Sequence, residues 1–247
     1  MKTKNVKSKI TKSLIVGLIA ILPLSFISCE DDDNDDQSNI EGIYVVNEGG
    51  INNNNGSITL INPDEQKTVQ NYFSSKNDWN LGDIAQDLSF YEDKGFIVVN
   101  NSQKVEIVEK ETFESIGVIE GLSYPRQFLG INDNKGYLTN GSSSNGENGS
   151  VFVINMNDYN VIDTIEVGKG PESMVKLEDK VYVTNGGGWS VDNSISVIDI
   201  ANDTVTEMIE VKDIPTDIAK DANDNLWVFC KGLNSFQNGG PTNSHLV

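Results

Sequence analysis

A short phrase recurs along this chain at a spacing that few folds can satisfy. Tyr44-Val45-Val46-Asn47, Ile97-Val98-Val99-Asn100, Tyr137-Leu138-Thr139-Asn140, Tyr182-Val183-Thr184-Asn185 and Trp227-Val228-Phe229-Cys230 each set an aromatic or apolar residue ahead of a mostly β-branched centre. Their final positions stand 53, 40, 45 and 45 residues apart. Behind the first four comes a second strand-like run, at 57–61, 104–108, 150–154 and 194–198. A third follows a polar turn, as at 161–167 and 205–211. Pro125, Pro171 and Pro215 recur 46 and 44 residues apart, each opening a fourth strand, and Ala85 holds that place in the earlier unit. Four short strands in about 40–45 residues is the period of a β-propeller blade. One twisted four-stranded sheet cannot bury both of its faces, whereas blades stacked around an axis bury them against each other. After residue 40 no apolar stripe at helical spacing exceeds two turns, so no helix competes. The expected fold class is therefore all-β, a propeller of four-stranded blades.

The N-terminus carries an address rather than a fold. Lys2, Lys4, Lys7, Lys9 and Lys12 precede an apolar run from Leu14 to Ile27, too short for a stable membrane span. The run ends in Ser28-Cys29, which resembles a bacterial lipobox in which Cys29 becomes the lipidated first residue. Six acids follow between Glu30 and Asp36. Such a run repels itself and buries nothing, so it reads as an extended tether. It also resembles the export signal of surface lipoproteins in Bacteroidetes-type bacteria. The organisation read from the sequence is a lipoprotein signal peptide at 1–28, a lipidated Cys with acidic tether at 29–39, and a propeller over 40–247. The expected location is the outer membrane, facing outwards, with membrane contact through the lipid alone.

Charge narrows the partners. Eighteen basic against 37 acidic residues give a net charge of −19. Removing residues 1–28 takes away five Lys and no acid, so 13 − 37 leaves −24. A phosphate backbone needs Lys/Arg-rich patches, so no nucleic acid is expected as partner.

The phrase Tyr182-Val183-Thr184-Asn185, with Gly170-Pro171 before it and Ser196-Val197-Ile198-Asp199 after it, resembles the YVTN-repeat β-propeller family. With Asn47-Glu48-Gly49, Leu81-Gly82-Asp83, Val99-Asn100-Asn101-Ser102 and Tyr124-Pro125-Arg126, the chain looks like the YncE-like surface lipoproteins of Bacteroidetes. The resemblance covers 41–247. It implies about seven blades when complete. The repeats here amount to a partial first blade, three full ones and the start of another, so four to five blades of a longer propeller are expected. It also implies nutrient capture: similar surface propellers include cobalamin-capturing lipoproteins that sit over TonB-dependent transporters. A corrinoid and such a transporter are thus the implied ligand and partner.

Long polar segments at 48–55, 75–81, 141–149, 186–193 and 231–242 are expected on one face of the disc, where a binding site belongs. Within or beside them, Trp79, Trp189 and Tyr124 offer ring surfaces for stacking, and Arg126 a planar five-donor fork. Asn100, Asn140 and Asn185 end their strands near the channel mouth, where they either bond backbone across a loop or meet ligand. Catalytic residues are not expected. His245 is the single His, and a base is wanted beside any Ser or Cys nucleophile. Cys230, in a strand position matching the Asn of other repeats, reads as a buried inert thiol. Asp221, Asn223, Asp224 and Asn225 resemble part of a calcium loop but lack its Gly and bidentate Glu, so a hairpin turn is preferred. No metal or cofactor is expected. Two other readings stay open: a structural or adhesive surface propeller contacting proteins or glycans, and a metal-dependent lyase or lactonase using Glu48 and Asp83.

Overall fold

A computed structural model describes residues 42–141, 149–237 and 239–247. The signal segment, Cys29 and the acidic tether lie outside the described residues, as does most of the 141–149 loop.

Five small antiparallel sheets follow one another along the chain, three with four strands and two with three, as a five-bladed β-propeller. The first holds β1 (Ile43–Asn47), β2 (Ser57–Asn62) and β3 (Lys67–Val69). A short helix, α1 (Tyr72–Asn77), leads to the second: β4 (Ala85–Tyr91), β5 (Lys94–Val99), β6 (Lys104–Glu109) and β7 (Ser115–Ile119). The third is β8 (Tyr124–Asn132), β9 (Lys135–Gly141), β10 (Gly149–Asn155) and β11 (Val161–Glu166). The fourth is β12 (Pro171–Leu177), β13 (Lys180–Asn185), β14 (Ser194–Asp199) and β15 (Thr204–Glu210). The fifth is β16 (Pro215–Lys220), β17 (Leu226–Cys230) and β18 (His245–Leu246).

Strand order fixes the phase of the repeat. Sheets run β4-β5-β6-β7, β8-β9-β10-β11 and β12-β13-β14-β15. The Pro-led strand that closes each sequence unit is therefore the first strand of the following blade, not the fourth of its own. Periodicity reports the length of a repeat but not where the sheet begins. The four leading strands pack in succession, β4 on β8, β8 on β12 and β12 on β16.

Alternation within the anchor strands builds the core. Successive side chains point to opposite faces of a strand. Ile97 and Val99 enter the cluster between blades one and two, while Phe96 and Val98 enter the one between blades two and three. Leu138 serves that second cluster and its neighbour Tyr137 the next. Strands buried on both faces must be apolar throughout, which is why β5 reads Phe-Ile-Val-Val. The outer β7 lies on one cluster only, and its Ile116 and Val118 face solvent. Phe96 and Phe128 stack across the seam between blades two and three, with ring centroids 3.9 Å apart and planes 14° from parallel.

Polar contacts add to these seams. Lys135 Nζ donates to Asp203 Oδ1 at 2.7 Å and to the Ile200 carbonyl at 2.7 Å, tying blade three to blade four. The buried Tyr137 hydroxyl donates to the same carboxylate, and burial followed by that bond pushes its pKa up. The Asp221 segment is a hairpin turn: its carboxylate accepts the Asn223 and Asn225 N–H groups and, at 3.1 Å, the Trp227 indole.

Candidate functional site

The leading strands share an irregularity that turns one side chain out of the ladder. Register slips occur between Ala85 and Asp87, Pro125 and Phe128, Pro171 and Met174, and Pro215 and Asp217. A bulge bends the strand and re-aims the residue it leaves unpaired. Gln86, Arg126, Glu172 and Thr216 occupy this place in blades two to five. Just ahead, Ile84, Gly170 and Ile214 take left-handed φ values of 62°, 52° and 56°. Their carbonyls accept N–H bonds from Asn100 at 2.8 Å, Gly186 at 2.9 Å and Lys231 at 2.8 Å. The tight turn needs its glycine at Gly170, where a Cβ would lie 2.1 Å from the Gly188 nitrogen.

The next residue along fastens blade to blade. Asp87 Oδ2 accepts the Phe128 N–H at 3.3 Å, and Gln127 Oε1 accepts that of Met174. Ser173 Oγ donates to Asp217 Oδ1 at 3.1 Å. Burial pushes the Asp87 carboxyl up to about 7, against the opposing pull of N–H bonds from Phe128 and Leu88.

Three of the bulge residues join. Arg126 Nε donates to Glu172 Oε2 at 2.6 Å, and Nη1 donates to Gln86 Oε1 at 2.8 Å. Burial raises the Glu172 pKa, and the charges of Arg126 and Lys231 pull it back. Arg126 and Glu172 form the floor of a cavity of about 390 Å³, and Gln86 holds Arg126 from outside its lining. Its lining comes from Glu48, Ile51, Ile84, Asn100, Asn101, Tyr124, Arg126, Gly141, Gly170, Pro171, Glu172, Gly188 and Trp189, residues of blades one to four and the segments between strands. Trp189 is 79% exposed and Tyr124 37%, so both present ring surface to solvent at the rim.

Of the residues singled out from the sequence, the structure brings Tyr124, Arg126, Trp189 and Asn100 to this cavity. Asn100 also bonds across the seam, donating to the Pro125 carbonyl at 2.8 Å. Asn140 and Asn185 are buried. Asn140 Oδ1 accepts the N–H groups of Ser123 at 3.0 Å and Tyr124 at 3.1 Å, holding the rim tyrosine's backbone. Asn185 Nδ2 donates to Ser194 and Ser196 hydroxyls at 3.1 and 3.0 Å. Trp79 does not line the cavity. It follows α1 and sets its ring edge-on to Phe73, with centroids 6.0 Å apart.

Glu48 lines the cavity, whereas Asp83 is buried and accepts Asn101 Nδ2 at 2.7 Å. Among the described residues no three His, Cys, Asp or Glu side chains group to hold a metal ion. Cys230 is fully buried, and burial raises its thiol pKa. His245 is exposed on β18. Glu172 and Gln86 were not legible as site residues by type. The signal lay in the repeat: they follow Ala85 and Pro171 as Arg126 follows Pro125, the equivalent places in the three units.

A family model described as "Domain of unknown function (DUF5074)" matches residues 41–233. No curated protein matches the chain. Among solved structures, a chain of Kuenenia stuttgartiensis hydrazine synthase is similar with a TM-score of 0.57 and 15% identity, over 70% of this chain and 49% of that one. A protein of unknown function from Bacteroides caccae is similar at 0.52 and 13% identity, over 82% and 72%. The dihydro-heme d1 dehydrogenase NirN, in complex with DHE, is similar at 0.52 and 11% identity, over 72% and 39%. This chain thus spans about half of the hydrazine synthase chain, and likeness at such identities is a likeness of fold.

Proposed function

Because the chain belongs to the DUF5074 family, a domain of unknown function, we propose its role from the site itself: it captures a small molecule at the loop face of the propeller without transforming it. The observation that carries this reading is the 390 Å³ cavity, with largely apolar walls and an Arg126–Glu172 pair in its lining, Arg126 being held in turn by Gln86. Small-molecule sites combine such walls with a few fixed polar groups, in volumes of about 300–1,000 Å³. The rings of Trp189 and Tyr124 supply flat surface at the mouth.

The segments outside the described residues support a setting for this capture. A lipid on Cys29 and the acidic tether would hold the propeller at the outer face of the outer membrane. A TonB-dependent transporter is the proposed recipient. A corrinoid is the first ligand to test, on the resemblance of the repeats to cobalamin-capturing surface lipoproteins. Such a molecule exceeds the cavity and would be held at one edge. Hydrazine synthase and NirN are enzymes by name, but a shared fold carries no shared chemistry at these identities.

Calorimetric titration of the full chain with cyanocobalamin tests the reading. Binding is expected, weakened at least tenfold, about 1.4 kcal/mol, by Trp189→Ala and by Arg126→Ala. No heat and no thermal shift at about 100 µM ligand, where a micromolar site adds a few kcal/mol of stability, would remove the corrinoid. Incorporation of labelled fatty acid, lost in Cys29→Ser, checks the anchor.

A further inference from the structure

The floor of the cavity restricts which chemistry can settle on it, given the binding role just proposed. Of the lining residues, Arg126 is basic and Glu48 and Glu172 are acidic, so the lining carries a formal charge of −1. Arg126 is the residue a carboxylate or phosphate would seek, because its planar fork matches two oxygens at once. That fork is already engaged. Its Nε holds Glu172 Oε2 at 2.6 Å and its Nη1 holds Gln86 Oε1 at 2.8 Å. Among the described residues, Arg126 Nη2 and Glu172 Oε1 have no hydrogen-bond partner.

The floor therefore offers an N–H donor beside a carboxylate acceptor, on side chains 32% and 18% exposed. An anion approaching Nη2 would meet the Glu172 charge next to it, in surroundings that screen charge less than open water. A neutral group carrying both an acceptor and a donor meets no such opposition and completes both side chains.

We infer that the ligand is uncharged where it meets the floor and presents an acceptor oxygen beside an N–H or O–H donor, as a primary carboxamide or a pair of neighbouring hydroxyls does. Glu172 is then the residue that sets specificity, by occupying Arg126 against anions. Trp189 and Tyr124 take a flat or apolar part of the same molecule.

Matched probes separate the alternatives. Nicotinamide and nicotinate share one flat ring and differ in a carboxamide against a carboxylate; methyl glucoside and glucuronate form the hydroxyl pair. The readout is the indole N–H resonance of Trp189 in the isotope-labelled full chain. At least one neutral probe is expected to bind with a Kd tenfold or more below that of its anionic partner. Glu172→Gln, which removes one charge and keeps the shape, should release Arg126 and reverse that order. Tighter binding of the anion to the unaltered protein would overturn the inference. So would an unchanged ratio in Glu172→Gln, or no response to either neutral probe at about 10 mM, where a millimolar site is mostly filled. Failure with cyanocobalamin while a neutral probe binds would remove the corrinoid and leave this inference standing. Cyanocobalamin binding together with a preference for anions would do the reverse.

Discussion

Replacing Phe128 by Ala should destabilise the propeller at the seam between blades two and three. Phe128 lies two residues after Arg126, is 1% exposed, and stacks on the fully buried Phe96 at a centroid distance of 3.9 Å. Truncating a buried Phe to Ala costs about 3–5 kcal/mol, the removed transfer energy plus the cavity left behind. About 0.5–1.5 kcal/mol of that belongs to the ring–ring contact. Relaxation can offset little of the cavity. The ring edge abuts Gly136, where a Cβ would meet Cζ at 2.5 Å, and glycine has no side chain to move in. Met156 is the flexible neighbour, its sulfur 3.1 Å from the same point. The loss should thus fall at about 3–4 kcal/mol, a large part of the ~5–15 kcal/mol that holds a domain together. At about 2–4 °C per kcal/mol for a chain of this size, Tm should drop by roughly 6–16 °C. Guanidinium unfolding followed by circular dichroism measures it, and a cycle with Phe96→Ala should return a coupling of about 0.5–1.5 kcal/mol. A loss below about 1 kcal/mol, or additivity within about 0.3 kcal/mol, would refute the account of this seam as a packed ring pair.

Asp87 makes stability depend on pH. Its pKa rises from 3.8 to about 7 on folding because burial disfavours the charge, so its favourable contribution is complete below the ordinary value and is lost as pH climbs through 7. Urea melts at pH 5 and pH 9 should differ by up to ~3 kcal/mol, and Asp87→Asn should flatten the dependence; an equally steep slope in that variant would count against the assignment. Gly170→Ala forces a side chain to φ 52° and into the Gly188 nitrogen, so thermal melts should show a loss of about 1–3 kcal/mol, with ligand binding weakened through the displaced Trp189 turn. Asn100→Ala deletes the bond to the Pro125 carbonyl and should cost about 1 kcal/mol by the same melts.

The architecture is legible in the sequence because both faces of a propeller's anchor strands are buried. Ile97 and Val99 serve one seam, Phe96 and Val98 the next. An uninterrupted apolar run at fixed spacing is what such a stack demands, so the blades can be counted before any contact is known. The helix α1 escapes the same reading. It has six residues, with Asn71 and Asp78 at left-handed φ on either side, and so is too short to display a period. That helix also carries Trp79 to Phe73 rather than to the cavity, a displacement that an exposed aromatic on a polar segment does not announce.

The candidate site is half legible for a related reason. Tyr124, Trp189 and Arg126 stand out as residue types in a polar, acidic chain. Gln86 and Glu172 do not, since a surface Gln or Glu is ordinary anywhere. They become visible when the repeat is used as its own alignment. The position after Ala85, Pro125, Pro171 and Pro215 holds Gln, Arg, Glu and Thr, differing in charge from blade to blade. The following position holds Asp, Gln, Ser and Asp, side chains all able to bond across a seam, and Asp87, Gln127, Ser173 and Asp217 do so. Blades that must pack identically keep the same polar chemistry in the column that joins them. A column turned out of the ladder by a bulge is released from that demand, and its divergence in this chain bonds a cation of the cavity lining to an anion of that lining and to an amide outside it.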